Sequence, residues 1–303
     1  MGIVLGPHQY GKAESRIVRV DRDTDRHRIH DLNVSTALRG GFGAAHTAGD
    51  QATVLPTDSQ KNTAYAYAKK AGVDQIEDYA LTLGRHFVDD VASVRGAKVE
   101  VEEYAWERID VGGHGHDHSF VRSGQEVRTT AVTIDGVGES QQCWVLSGLH
   151  DLVVLKSTGS EFAGFLTDDY TTLEETHDRV MATALSVRWR HSDAGTDTDW
   201  DTSYDAIKAT LLEQFATVHS LALQQTLYEM GKAVLEQQPA VAEIRLSAPN
   251  IHHFAYDLDR FGLNNAGEVF QVADRPYGLI EATVQRDDAP APGRAWDTVP
   301  GFC

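Results

Sequence analysis

The sequence predicts an α+β fold in two successive halves, each an antiparallel four-stranded sheet with two helices on one face. Three observations carry this. Long stretches alternate β-branched or apolar residues with polar ones, as in Tyr10 to Val20 and Arg26 to Leu38. Other stretches carry apolar residues at helical spacing and come in pairs. The order strand, strand, helix, helix, strand, strand then occurs twice without the residues themselves repeating. At 303 residues the chain is also long for one core.

In the first half, the two opening strands flank the turn-rich DRDTD and read as a long hairpin. Arg39 to Gln51 is expected to be a glycine-rich loop, with no helix opening directly behind Gly40, Gly41 and Gly43, so a nucleotide fingerprint is not met. Pro56 pins the chain entering a helix that ends near Gly72, and Thr57 with Gln60 has the spacing of a capping box. A second helix follows, with Ile76, Ala80, Leu83, Phe87 and Val91 on one face. Lys98 to Ile109 and Arg128 to Ile134 are strands around a loop, Gly112 to His118.

In the second half, Trp144 to Lys156 and Ala182 to His191 are strands separated by an irregular stretch from Gly159 to Glu175. From Tyr204 to Gln237 the apolar stripe begins at Ile207, Leu211, Phe215 and Val218 but resumes at Leu223, Leu227, Met230 and Val234, displaced by about half a turn at roughly 3.6 residues per turn. One straight helix cannot bury both stripes on one side, so a break is expected near Ser220. Pro239 ends the second helix, and Ala242 to Phe254 and Gly278 to Gln285 complete the strands. The halves are drawn at residues 1–135 and 136–287, followed by a tail, 288–303, that is either an ordered clasp or disordered. Open sheet edges would expose pairing groups, and closure into a barrel by oligomerisation would remove them.

The net charge of −18 excludes a general nucleic-acid binder and disfavours an anionic membrane surface. An anionic substrate must then be held by a local positive site. Two cysteines, Cys143 and Cys303, fit a reducing compartment. No apolar run reaches membrane-spanning length, the opening residues do not read as a signal peptide, and the ending Gly301-Phe302-Cys303 lacks a peroxisomal address. A cytoplasmic protein is expected.

Several residues have the chemistry for a site. Lys12 is either a solvated lysine or, if buried, one able to lose its proton and act as a base. The start of the Thr57 helix can attract an anion. Phe162 and Phe165 near Arg179 are either core aromatics beside a surface arginine or the stacking face and planar fork that suit a flat, anionic heterocycle. Gln224, at a helix start, carries donor and acceptor together. Strand alternation puts Asn250, His252 and Phe254 on one face. His114, His116 and His118 with Asp117 have donor types for Zn or Ni, but the surrounding glycines and the lack of a second ligand cluster argue against a metal site.

QYGKAESR with Lys12, LPTDSQKNT with Thr57, LKSTGSEFAGF with Phe162, TTLEETHDR with Arg179, LQQTLYEMG with Gln224 and APNIHHF with Asn250 and His252 together resemble urate oxidase, in the same order over about residues 8 to 285. The resemblance implies the tunnelling fold, with two tandem halves per chain, four chains stacked into a barrel around a tunnel, and active sites at subunit interfaces. It implies that Arg179 and Gln224 grip the edge of urate, that Phe162 stacks on its face, and that the Leu223 amide lies close. Thr57 and Asp58 would come from the neighbouring chain. Lys12, Thr57 and His252 would form a proton relay, and Asn250 would hold dioxygen or water above the ring. Neither metal nor organic cofactor is implied. The products would be 5-hydroxyisourate and hydrogen peroxide. A metal-dependent hydrolase or cyclohydrolase using the histidine loop is the competing expectation.

Overall fold

A computed structural model describes residues 2–195 and 198–297. The chain divides into two compact units. Unit 1 comprises Met1–Gly148, Arg190–Thr202 and Pro290–Cys303; unit 2 comprises Leu149–Trp189 and Ser203–Ala289. Among the described residues no helix is long and apolar enough to cross a membrane.

Unit 1 opens with β1 (Tyr10–Asp21) and β2 (Arg28–Gly40), the expected hairpin. Three helices follow, α1 (Gly43–Ala48), α2 (Thr57–Lys70) and α3 (Ile76–Asp90), then β3 (Val94–Val111) and β4 (His114–Asp135). Strands β1 to β4 pair antiparallel in chain order. Leu32, Val34 and Leu38 of β2 and Val99 and Val101 of β3 bury one side of this sheet against Ile76, Tyr79, Ala80, Leu83 and Phe87 of α3. Small residues Ala64 and Ala68 seat α2 in the same core. Burying such side chains contributes about 1.5–3 kcal/mol each for the larger ones, before conformational entropy is set against it.

Two expectations are corrected here. A six-residue helix, α1, does open directly behind Gly40 and Gly41. The loop Gly112 to His118 is largely strand: only Gly112 and Gly113 make the turn, in the left-handed region (φ 65° and 83°), and β4 begins at His114. Register continues to Val111 opposite His114, so cross-strand pairing outweighs the weak strand propensity of Gly115 and Asp117.

Strand β5 (Gln142–Lys156) begins in unit 1 and ends in unit 2, and β6 (Met181–His191) does the reverse. Within unit 2, α4 (Trp200–Thr217, from Ser203 onward) and α5 (Leu223–Gln237) are separate helices, as the displaced stripes require. Ile207, Leu211 and Phe215 of α4 and Leu223, Leu227, Met230 and Val234 of α5 are buried with Trp189 and Ile244. Strand β7 spans Val241–Ala255. It pairs antiparallel with β9 (Leu279–Gln285) over Glu243 to Pro249 and with β8 (Phe270–Ala273) over His252 to Ala255. Strand β8 was not expected: four residues, FQVA, carry too little alternation to register. The architecture is α+β with antiparallel strands.

The tail is an ordered clasp as far as it is described. The Pro290 carbonyl accepts from Arg190 (2.9 Å), Ala295 is buried beside Ala131 and Leu146, and Asp297 pairs with Arg39 (2.8 Å). Residues 298–303, Cys303 among them, lie outside the described residues.

Candidate active site

In unit 1, the expected residues sit on β1 and the first turn of α2. Gly11 is needed next to Lys12, because a Cβ there would stand 1.7 Å from the Thr36 carbonyl oxygen. Immediately after Lys12 the pairing with β2 shifts, and Glu14 adopts a left-handed backbone (φ 56°), uncommon for a residue with a side chain. Lys12 is half-buried, neither freely solvated nor enclosed, and its amide leans on Thr36 Oγ1 at 3.4 Å. Among the described residues no carboxylate is within ion-pair distance of its amine.

The capping box does not form. Thr57 is already the first helical residue, Pro56 is the N-cap, and no side chain caps the helix. Gln60 is fully buried, and its Oε1 accepts from the Thr36 hydroxyl at 2.8 Å, so it holds the helix start to β2 instead of reaching back to the cap. The amides of Thr57, Asp58 and Ser59 thus have no side-chain cap, which leaves them available to an anion. Asp58 is exposed. Its carboxylate accepts from Lys61 (2.5 Å) and Asn62 (2.9 Å), and these bonds, chiefly that to Lys61, with a smaller pull from the charge of Lys12, hold it below the usual range.

In unit 2, a denser construction surrounds Arg179. Its backbone N–H donates to the Ser160 carbonyl (2.9 Å) and its Nε to Ser160 Oγ (3.3 Å), while its guanidinium lies 5.7 Å from the centre of the Phe162 ring. Phe162 stacks on Phe165 with centroids 5.0 Å apart and planes 14° from parallel. Phe162 and Thr176 exchange two backbone hydrogen bonds, and Ser160 bridges to Ser220. The irregular stretch is therefore pinned on both sides. Burial pulls the Arg179 guanidinium below its ordinary value, so an arriving anion would recover part of that desolvation cost.

Leu223 and Gln224 form the first turn of α5, whose N-cap, Ala222, is extended and makes no side-chain cap. Leu223 is buried and Gln224 is exposed. On β7, Asn250 is 9% exposed, and its N–H donates to the Gly278 carbonyl at 2.8 Å. His252 and Phe254 stack at 5.7 Å, as residues two apart on one strand face should. Burial, then the charges of Arg179 and His253, lower the His252 pKa and favour the neutral imidazole. The structure thus gathers Phe162, Arg179 and His252 in one neighbourhood of unit 2, with Lys12, Thr57 and Asp58 on unit 1.

In the histidine hairpin, His116 and His118 meet edge-on at 4.5 Å and Asp117 pairs with Arg26. No cluster of three or more metal-binding side chains occurs among the described residues. Ser160 and Thr36 support the expected residues without any local signal, since their partners, Arg179 and Gln60, are 19 and 24 positions away.

The chain is similar to known proteins over nearly its whole length. A family model described as Uricase matches residues 8–133 and 145–281. A uricase of Arthrobacter globiformis is 51% identical over 301 residues, spanning 99% of this chain and 96% of that protein. A uricase of Dictyostelium discoideum is 35% identical over 282 residues, 92% of this chain and 96% of its own. The crystal structure of the Arthrobacter globiformis uricase has a TM-score of 0.92 at 50% identity, covering 98% of this chain and all of that one.

Proposed function

The chain belongs to the uricase family, the urate oxidases, and from that premise we propose a cofactor-independent oxidation of urate by dioxygen to 5-hydroxyisourate and hydrogen peroxide. The observation that carries the reading is the Arg179–Phe162 pair beside His252: a guanidinium fork 5.7 Å from an aromatic ring, with an imidazole next to it. That combination suits a planar anionic heterocycle.

In this reading Arg179 and Gln224 bind the edge of urate, Phe162 stacks on its face, and the Leu223 amide lies close. Thr57 and Asp58 of a neighbouring chain meet the opposite edge, where the uncapped first turn of α2 offers N–H donors. Lys12, Thr57 and His252 relay protons. His252, held neutral, can accept one. Deprotonation makes urate more reducing. Two electrons pass from the ring to dioxygen, which leaves as hydrogen peroxide, and water adds to the oxidised ring; one urate, one dioxygen and one water become one 5-hydroxyisourate and one peroxide. Asn250 holds dioxygen and then water above the ring.

The same reading makes the chain two tandem tunnelling-fold halves, 1–135 and 136–287, four chains closing a barrel around a tunnel, in the cytoplasm. Large apolar side chains left in water support an oligomer, notably Leu166 at 95% and Tyr170 at 90% exposure. The few cysteines support the compartment.

Mixing the protein with urate in air, while following urate absorbance, oxygen uptake and peroxide together, tests the reaction. Equal consumption of urate and oxygen with matching peroxide is expected, and chelators should have no effect. Absence of peroxide, or activity lost to a chelator and restored by Zn, would defeat it.

A further inference from the structure

We propose that Glu161 is a positioning residue, clasping His219 and His177 so as to hold the Phe162–Arg179 wall at a fixed distance from the start of α5, where Leu223 and Gln224 stand. The inference rests on the urate-site reading above and extends it to residues that do not touch substrate.

Around Phe162 the chain alternates. Ser160 and Phe162 both contact Arg179, whereas Glu161, between them, points elsewhere. Its carboxylate accepts from His219 Nε2 at 2.5 Å through Oε1 and from His177 Nδ1 at 3.4 Å through Oε2. The two histidines come from the two segments that complete the wall. His177 lies two positions before Arg179, and His219 lies four positions before Leu223. Backbone bonds run the same way: Glu161 N–H donates to the Ser220 carbonyl (2.7 Å), and Ser220 N–H to the Gly159 carbonyl (3.0 Å).

One carboxylate therefore spans three strips of chain, each bearing a residue expected to meet urate. The bonds to His219 and then His177 also depress the Glu161 carboxyl, which keeps it in the accepting form. Lys156, whose Nζ donates to the Val218 carbonyl at 2.6 Å, anchors the end of α4 just before His219, and Asp178, accepting from Thr158 and the Gly159 N–H, anchors the segment holding His177. Both ends of the clasp are therefore fixed to firm ground, and the Glu161 carboxylate joins them side chain to side chain, alongside the Met181 sulfur that accepts from Ser160 and Ser220.

Loosening this clasp should spoil the spacing of the clamp in ground state and transition state alike, which raises KM and leaves kcat nearly intact. In the full-length protein, Glu161→Ala is expected to raise the KM for urate about tenfold with kcat within about twofold. Glu161→Gln, which keeps an acceptor oxygen, should restore most of the affinity. His219→Ala should mimic Glu161→Ala, and the double variant should be no worse than either, as for residues acting as one unit. Wild-type KM in Glu161→Ala, failure of the glutamine variant to rescue, or additive effects would each overturn the inference. Arg179→Ala separates the two levels: a raised KM there with none in Glu161→Ala defeats the clasp alone, whereas an unchanged KM for Arg179→Ala defeats the urate-site reading and the clasp with it.

Discussion

Lys12, Thr57 and Asp58 in unit 1 and Phe162, Arg179 and His252 in unit 2 are built in different ways. The unit 2 group is held by a mesh: Arg179 donates twice to Ser160, Phe162 exchanges two backbone bonds with Thr176, and Glu161 bridges two histidines. The unit 1 group stands on a strand irregularity beside an uncapped helix start, and Lys12 is steadied through its backbone, by long contacts with Thr36 Oγ1 at 3.4 and 3.5 Å. Recognising a flat anion rewards fixed geometry, since each misplaced hydrogen bond costs affinity. Moving protons rewards a side chain that can change partners. In the proposed reading, the meshed Phe162–Arg179 pair sets binding and Lys12, on its strand irregularity, sets turnover.

Substitutions can break that division. The largest effect is expected from Lys12→Met, which should lower kcat by about 10²–10⁴-fold while leaving KM within a few-fold, measured by initial rates of urate loss. Equal loss in both constants would move Lys12 into the binding set. Next, Arg179→Ala should raise KM by about 100-fold, the worth of a paired charge-assisted contact, with a smaller change in kcat.

Acid should act on unit 1 through His191. Burial lowers this imidazole from 6.5 to about 4, where it meets Ser147 Oγ at 3.2 Å and packs edge-on against Trp200. The native state thus binds fewer protons than the unfolded chain between those values, so stability is complete above pH 6.5, falls on acidification towards pH 4 and levels off below it. The loss should reach roughly 3 kcal/mol, and denaturant titrations at several pH values should show it flattened in His191→Gln. The smallest effect belongs to unit 2: in Gly231→Ala the added Cβ would stand 2.6 Å from Val284 Cγ2, an overpacking worth about 1–3 kcal/mol. Thermal melts should show a lowered Tm with an unchanged KM, because Gly231 lies about two turns along α5 from Leu223 and Gln224.

Much of the fold was legible because its signals are periodic. The half-turn displacement between Val218 and Leu223 located the break between α4 and α5, and the alternation of Tyr10 to Val20 located β1. What failed locally was decided at long range. Thr57 and Gln60 have capping-box spacing, yet burial against Thr36 claims the Gln60 side chain. Gly112 to His118 reads as a loop, but the pairing of β3 with β4 carries strand into it. For the candidate site, Lys12, Thr57, Asp58, Phe162, Arg179, Leu223, Gln224, Asn250 and His252 are named through family resemblance. Glu161 and His219 were not: 58 positions separate them, and only the fold brings them to 2.5 Å.

The way unit 1 is assembled bears on how the protein is made. Its core takes Trp200 from one late segment and Ala295 from another, so the chain leaves unit 1 and returns to it twice. A nascent chain emerging from the ribosome exposes Leu32, Val99 and Ile134 long before the residues that complete their unit have been translated. Synthesis at about 5–20 residues per second then leaves an unfinished apolar surface waiting for many seconds. Slowed elongation between residues 150 and 290, or scarcity of a holding chaperone, should therefore lower the soluble yield more than substitutions that weaken the finished molecule by a similar amount.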